Sequence, residues 1–138
     1  MLQTITKTLS SSDILGLSTP YVILPTTSTS EFYDIEKIVW KLIYNTTPYE
    51  YSGDLYFCLG TEYVATFQAD SITSPYSVAT ISRSLLCKDK CSPLIIPGKA
   101  LTLECTDSET CRIFGAMSAP INGDSTVEIT VDYYIHSI

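Results

Sequence analysis

From Thr126 onward the chain alternates. Val127, Ile129, Val131, Tyr133 and Ile135 are apolar or aromatic, and Thr126, Glu128, Thr130, Asp132 and Tyr134 fall between them. Successive side chains of a β-strand point to opposite faces, so this period of two predicts a strand with one dry face and one wet or partnered face. Asn122-Gly123-Asp124 leads into it as a turn. The same reading finds short strands at Leu2 to Leu9, Tyr21 to Leu24, Leu55 to Leu59, Glu62 to Ala69, Ser77 to Leu86, Lys99 to Cys105 and Arg112 to Met117. Asp34 to Tyr44 fits two periods. Ile35, Ile38, Val39, Leu42 and Ile43 lie at helical spacing, whereas a strand would set Ile38, Trp40, Leu42 and Tyr44 against Lys37, Val39, Lys41 and Ile43. Its β-branched and aromatic content favours the strand.

Ser10 to Asp13 can cap a helix, but Gly16 and Pro20 hold it to about one turn. Elsewhere Gly60, Ser74-Pro75, Pro93 and Pro97-Gly98 punctuate the strands. Eight or nine short strands without a long helix predict an all-β fold, an antiparallel β-sandwich of jelly-roll type. A chain of 138 residues is one domain by size. Within it, residues 1–18 read as an N-terminal extended arm and short turn, and residues 19–138 as the jelly-roll domain. Thr-rich Met1 to Leu9 is the candidate attachment arm, since an extended segment can add a strand to a neighbour.

Composition narrows the function. Charged residues make up 17% of the chain, against about 25% in an ordinary soluble domain. Ser, Thr and Tyr fill the gap, which suits a surface covered by neighbouring molecules. The net charge is −7 and the only arginines are Arg83 and Arg112, so the clustered cations that nucleic acid requires are missing. No apolar run approaches membrane-spanning length. Met1 to Thr6 lacks the basic and apolar regions of a signal peptide, so the expectation is folding in a reducing cytoplasm.

The five cysteines leave at least one thiol free in a monomer. Free thiols fit a cytoplasmic chain best. Two hairpin disulfides, or a zinc site from Cys87, Cys91, Cys105 and Cys111, stay open as alternatives. Cys58, among Leu55, Phe57 and Leu59, reads as a small buried hydrophobe.

Candidate chemistry is sparse. The lone histidine, His136, sits two residues from the end and reads as solvated. Asp34 with Glu36, Asp107 with Glu109, and Glu128 with Asp132 pair carboxylates in loops or on wet faces. Asp107-Ser108-Glu109 lacks the glycine and spacing of a calcium loop. No catalytic residue, cofactor or metal site is assigned. Ten tyrosines stand out. Tyr21, Tyr44, Tyr56 and Tyr133 are expected in the core with their hydroxyls at its edge. Tyr49 and Tyr51, in the loop after Asn45, and Tyr76 are candidate ligand contacts for a protein or a sugar ring. The competing reading folds Tyr49 and Tyr51 back over the sandwich end as a plug.

Ser11-Ser12-Asp13-Ile14-Leu15-Gly16-Leu17, then Thr19-Pro20-Tyr21-Val22-Ile23-Leu24-Pro25, resembles the opening of small jelly-roll virion proteins of tailed phages. These include the head-fibre and capsid-decoration type of crAss-like phages. The β-branched strand over Ile35 to Tyr44 and the close from Gly123-Asp124 to Tyr134 follow the same layout, while Thr26 to Ser30 departs from it. The resemblance implies a non-enzymatic homotrimer mounted on other virion proteins, located in the virion and assembled in the host cytoplasm. It brings no catalytic residues. Val39, Ile43 and Tyr134, on outer strand faces, are the candidate subunit interface. The alternative is a receptor- or carbohydrate-binding module at a fibre tip or tail, contacting a host surface glycan through Tyr49, Tyr51 and Tyr76.

Overall fold

The computed structural model of the chain describes residues 1–68, 70–74, 78–82, 95–106 and 119–138. Its strands are β1 (Gln3–Leu9), β2 (Tyr21–Leu24), β3 (Glu31–Ile43), β4 (Asp54–Leu59), β5 (Glu62–Phe67), β6 (Val78–Ser82), β7 (Leu101–Thr106) and β8 (Thr126–Ser137). Two short helical turns join them, α1 (Ser11–Leu15) and α2 (Asp70–Thr73). The predicted strand at Arg112 to Met117 lies outside the described residues.

Every pairing is antiparallel, and the order in the two sheets is β1-β8-β3-β6 and β2-β7-β4-β5. The pairs β1·β8, β2·β7, β3·β6 and β4·β5 are nested. The chain is therefore one long hairpin with its tip at β4–β5, rolled until β8 meets β3 and β7 meets β4. This is the jelly-roll plan, and it confirms the predicted antiparallel sandwich. The tip is a two-residue turn between Leu59 and Glu62, with Gly60 at φ 63° in the left-handed region glycine tolerates.

Asp34 to Tyr44 is strand throughout its paired length. Trp40, Ile38 and Leu42 are buried, and Lys41 and Ile43 face out. The alternation does not run unbroken, because a bulge at Glu36 separates Ile35 from Lys37 in the register with β8. One extra residue inverts the phase. Tyr33 and Ile35 before the bulge and Ile38 after it thus all join the core.

That core fills the space between the sheets. Trp40 from one sheet meets Phe57 and Phe67 from the other at ring-centroid distances of 6.4 and 5.3 Å, and the two phenylalanines lie 5.5 Å apart. The Trp40 Nε1–H donates to the Ser71 carbonyl of α2 at 3.0 Å, inside the protein. Indole burial here is complete and its one polar group is satisfied.

The N-terminal segment is no separate arm. β1 pairs with β8 over its full length, from Gln3↔Tyr133 to Leu9↔Val127. Leu9, Ile14 and Leu17 are at most 1% exposed and belong to the core. The division at residue 18 is thereby corrected, since β1 completes the first sheet and Leu9, Ile14 and Leu17 share the core of the rest. The predicted one-turn helix forms as α1, with a capping box in which Ser10 Oγ accepts from Asp13 N–H at 3.2 Å and Asp13 Oδ2 accepts from Ser10 N–H at 2.9 Å.

Trp40→Ala removes the bridge between the sheets and should cost about 3–5 kcal/mol in urea unfolding followed by circular dichroism. Trp40→Phe keeps a ring but strands the Ser71 carbonyl, for about 1–3 kcal/mol. A Trp40→Phe variant as stable as wild type would show that the indole hydrogen bond has no role.

Candidate functional site

The outward face of the β1-β8-β3-β6 sheet gathers most of the polar residues that alternation placed there. Thr4 Oγ1 donates to Asp132 Oδ1 at 2.7 Å, Thr6 and Thr130 hydroxyls meet at 3.1 Å, and Lys37 Nζ lies 3.5 Å from Asp132 Oδ2. Cross-strand pairs of this kind each add a few tenths of a kcal/mol, up to about 1 kcal/mol, and hold register. Of the candidate interface residues, Val39 and Ile43 share this face, opposite Thr130 and Thr126. Ile43 is 42% exposed and Val78, beside Lys41 on β6, is 72% exposed. Tyr134 is on the same face toward the other end of the sheet, opposite Asp34. The three candidates thus lie on one surface, spread over roughly 30 Å at about 3.3 Å per strand residue.

The Tyr134 end holds an arrangement that alternation alone does not reveal. His136 is exposed, as expected, and it also has partners. Its Nε2 meets Asp34 Oδ2 at 2.9 Å, and its ring stacks on Tyr134 at 5.6 Å and lies against Phe32 at 5.4 Å. Asp34, expected on a wet face, is 6% exposed. The pair ties the start of β3 to the end of β8. Ile135, expected in the core, is 39% exposed where the strand outruns it.

At one end of the sandwich the loop after β3 folds inward. Tyr49 is 2% exposed, and its hydroxyl donates to the Ser125 carbonyl. Burial, and then the nearby Asp124 charge, push its pKa up to about 12. Tyr51 is half-buried against the core and donates to the Asp54 carbonyl at 2.9 Å. These two are the plug, which corrects the reading of Tyr49 as an exposed stacking platform. Tyr76 lies outside the described residues.

The turn before β8 makes the plug possible. Asn122 adopts φ 65°, and Gly123 leaves the space into which the Tyr49 ring packs, since a Cβ there would stand 2.1 Å from Tyr49 Cδ1. Asp124 then clamps the loop. It accepts from the Thr46 hydroxyl, from the Thr46 and Thr47 N–H groups at 3.1 and 2.8 Å, and from Asn45 Nδ2 at 3.1 Å. These bonds, the Thr46 hydroxyl first, hold its carboxyl below the usual aspartate range.

The second sheet's outward face carries buried side chains as well. Tyr56 and Cys58 are 7% and 0% exposed and cluster with Tyr63, and Glu104 beside Tyr56 is 2% exposed. Glu104 Oε2 accepts from Thr102 Oγ1 at 3.0 Å. Cys58 is buried, as expected, and it is disulfide-bonded, the alternative to the general expectation of free thiols. Cys105 is a free buried thiol, and burial pushes it up to about 11 against the lowering effect of a hydrogen bond with Tyr51. Asp107 to Glu109 and the remaining cysteines lie outside the described residues. Tyr44, expected in the core, is 36% exposed and donates to the Thr46 carbonyl at 2.6 Å.

Comparison with protein-family models, curated proteins and solved structures finds no match for this chain.

Two outcomes are expected at the plug. Gly123→Ala forces the Tyr49 ring to move and should cost about 1–3 kcal/mol in thermal or urea unfolding. Asp124 has a depressed pKa when folded, so its contribution is present above the unfolded value near pH 4 and fades as pH falls through the folded value. Asp124→Asn should therefore be less stable than wild type at neutral pH, with the gap shrinking below about pH 4. A gap constant from pH 7 to pH 2 would assign the clamp to geometry alone.

Proposed function

We propose that this chain is a non-enzymatic structural protein of a phage virion, a capsid-decoration or head-fibre component that assembles as a homotrimer. One observation carries the reading: the outward face of the β1-β8-β3-β6 sheet combines a cross-strand hydroxyl ladder with exposed Ile43 and Val78 and half-buried Val39. Meanwhile the space between the sheets is filled by Trp40, Phe57, Phe67 and their aliphatic neighbours. A jelly roll whose interior is packed offers its surfaces for work. A face with exposed apolar side chains among hydroxyls suits contact with other subunits. The sequence resemblance to small jelly-roll virion proteins supplies the phage context, and the low charged fraction agrees with it.

In this reading Ile43 and Val39 lie near the molecular axis, with Tyr134 and its stacked His136 at the far end of the contact. β1 is the edge strand that a neighbouring virion protein meets. Its attachment role is through a strand already in the sheet, so removing Met1 to Leu9 removes fold and attachment together.

Light scattering after size exclusion should give three times the 15.2 kDa chain mass at micromolar concentration. Ile43→Asp should give monomers with an unchanged circular dichroism spectrum. A wild-type monomer would overturn the trimer, and absence of the chain from mass spectra of purified phage particles would overturn the virion role.

A further inference from the structure

The sequence placed sugar contacts at Tyr49 and Tyr51, which the fold turns inward. A different tyrosine faces a concavity. Between α1 and the start of β2 lies an open depression of about 200 Å³, lined by Ser12, Asp13, Gly16, Thr19, Pro20 and Tyr21. At about 30 Å³ per water this is room for roughly seven waters, the scale of one small ring rather than an extended chain.

Its frame is stiff. The capping box fixes Asp13, Gly16 N–H donates to the Ser12 carbonyl at 3.0 Å, and Thr19 N–H donates to the Gly16 carbonyl at 3.0 Å. Pro20 fixes its own φ and restrains Thr19 before it. Tyr21 packs partly on the core and is paired to Leu103 of β7, so its ring is held from behind.

The polar groups around the depression have capacity to spare. Asp13 uses Oδ2 in the capping box, and Oδ1 has no hydrogen bond among the described residues. Neither the Tyr21 hydroxyl nor the Thr19 hydroxyl is hydrogen-bonded among the described residues. Burial, with the Asp13 charge second, raises the Tyr21 pKa, which places carboxylate and phenol in one electrostatic neighbourhood.

We propose that this depression binds a single neutral pyranose unit of a glycan. The Tyr21 ring takes the C–H face of the sugar, Asp13 Oδ1 accepts from a ring hydroxyl, and the Thr19 and Tyr21 hydroxyls bond to its neighbours. A ring with one apolar face and a rim of hydroxyls matches an aromatic beside mixed donors and acceptors. Asp13 and the net charge of −7 select against acidic sugars. The site uses one subunit's residues only, so it stands whether or not the chain forms trimers.

Glucose, galactose, mannose and N-acetylglucosamine, with sialic acid for comparison, are titrated into the full-length chain and followed by amide NMR shifts. At least one neutral sugar should shift Ser12, Asp13, Gly16, Thr19 and Tyr21 with a Kd in the millimolar range, and sialic acid should not. Tyr21→Ala and Asp13→Asn should each weaken that binding about tenfold, the scale of one lost aromatic or charge-assisted contact. Asp13→Asn keeps an acceptor for the Ser10 N–H, and the amide spectrum of each variant reports whether the fold is kept. No shift with any neutral sugar, shifts centred elsewhere, stronger binding of sialic acid, or unchanged affinity in folded Tyr21→Ala would each overturn the proposal.

Discussion

The contact on which the sandwich depends is Trp40 set against Phe57 and Phe67. Two sheets about 10 Å apart need large side chains at the middle of their facing surfaces. Trp40 supplies most of that volume from one side, and its Nε1–H reaches across to a backbone carbonyl of α2. Around this centre smaller residues close the layer: Ile38, Leu42, Val127, Ile129 and Val131 from one sheet, and Leu55, Leu59, Leu101 and Leu103 from the other. Any change in the spacing of the sheets would open voids on both sides of the indole, so the position of every inward residue is tied to it.

The nested hairpin plan explains why distant segments share each edge of the molecule. β1 and β8 come from the two ends of the chain, and they pair because the roll brings the first and last strands together. The same closure brings the loop after β3 under the turn before β8. There the Asn122-Gly123-Asp124 segment does three separate things. Asn122 takes the left-handed backbone, Gly123 makes space for Tyr49, and Asp124 binds the loop. What reads locally as a simple turn signal is a tertiary lock between residues more than 70 positions apart.

Much of the fold was legible because period-two alternation encodes which way a side chain points. β8 and the central part of β3 follow it directly, and so does the one-turn helix with its capping residues. The readings that failed did so for identifiable reasons. The bulge at Glu36 inverts the alternation without any glycine or proline to mark it. Tyr49 looks exposed in a polar loop, but only its hydroxyl needed a partner, and Ser125 provides one from the other end of the sequence. Tyr56 is buried as expected, but on the outward face of its sheet, where Cys58 and Glu104 are buried beside it. His136 is exposed as expected, but nothing near it in sequence announces its partner Asp34, 102 residues away.

The candidate surfaces divide in the same way. Val39 and Ile43 could be assigned to one outward face from the chain alone, because strand geometry is local and repeats every two residues. Tyr134 joins them only because β8 pairs with β3 in a particular register. The depression at Tyr21 is not written in any local pattern, since it exists where a capped turn happens to meet the start of a strand. The sequence by itself determined the class of fold, the strands and most of their inner faces, through alternation and turn chemistry. Only the tertiary structure decided which strands are neighbours, which tyrosines are covered and where polar groups converge, because those depend on contacts between residues far apart along the chain.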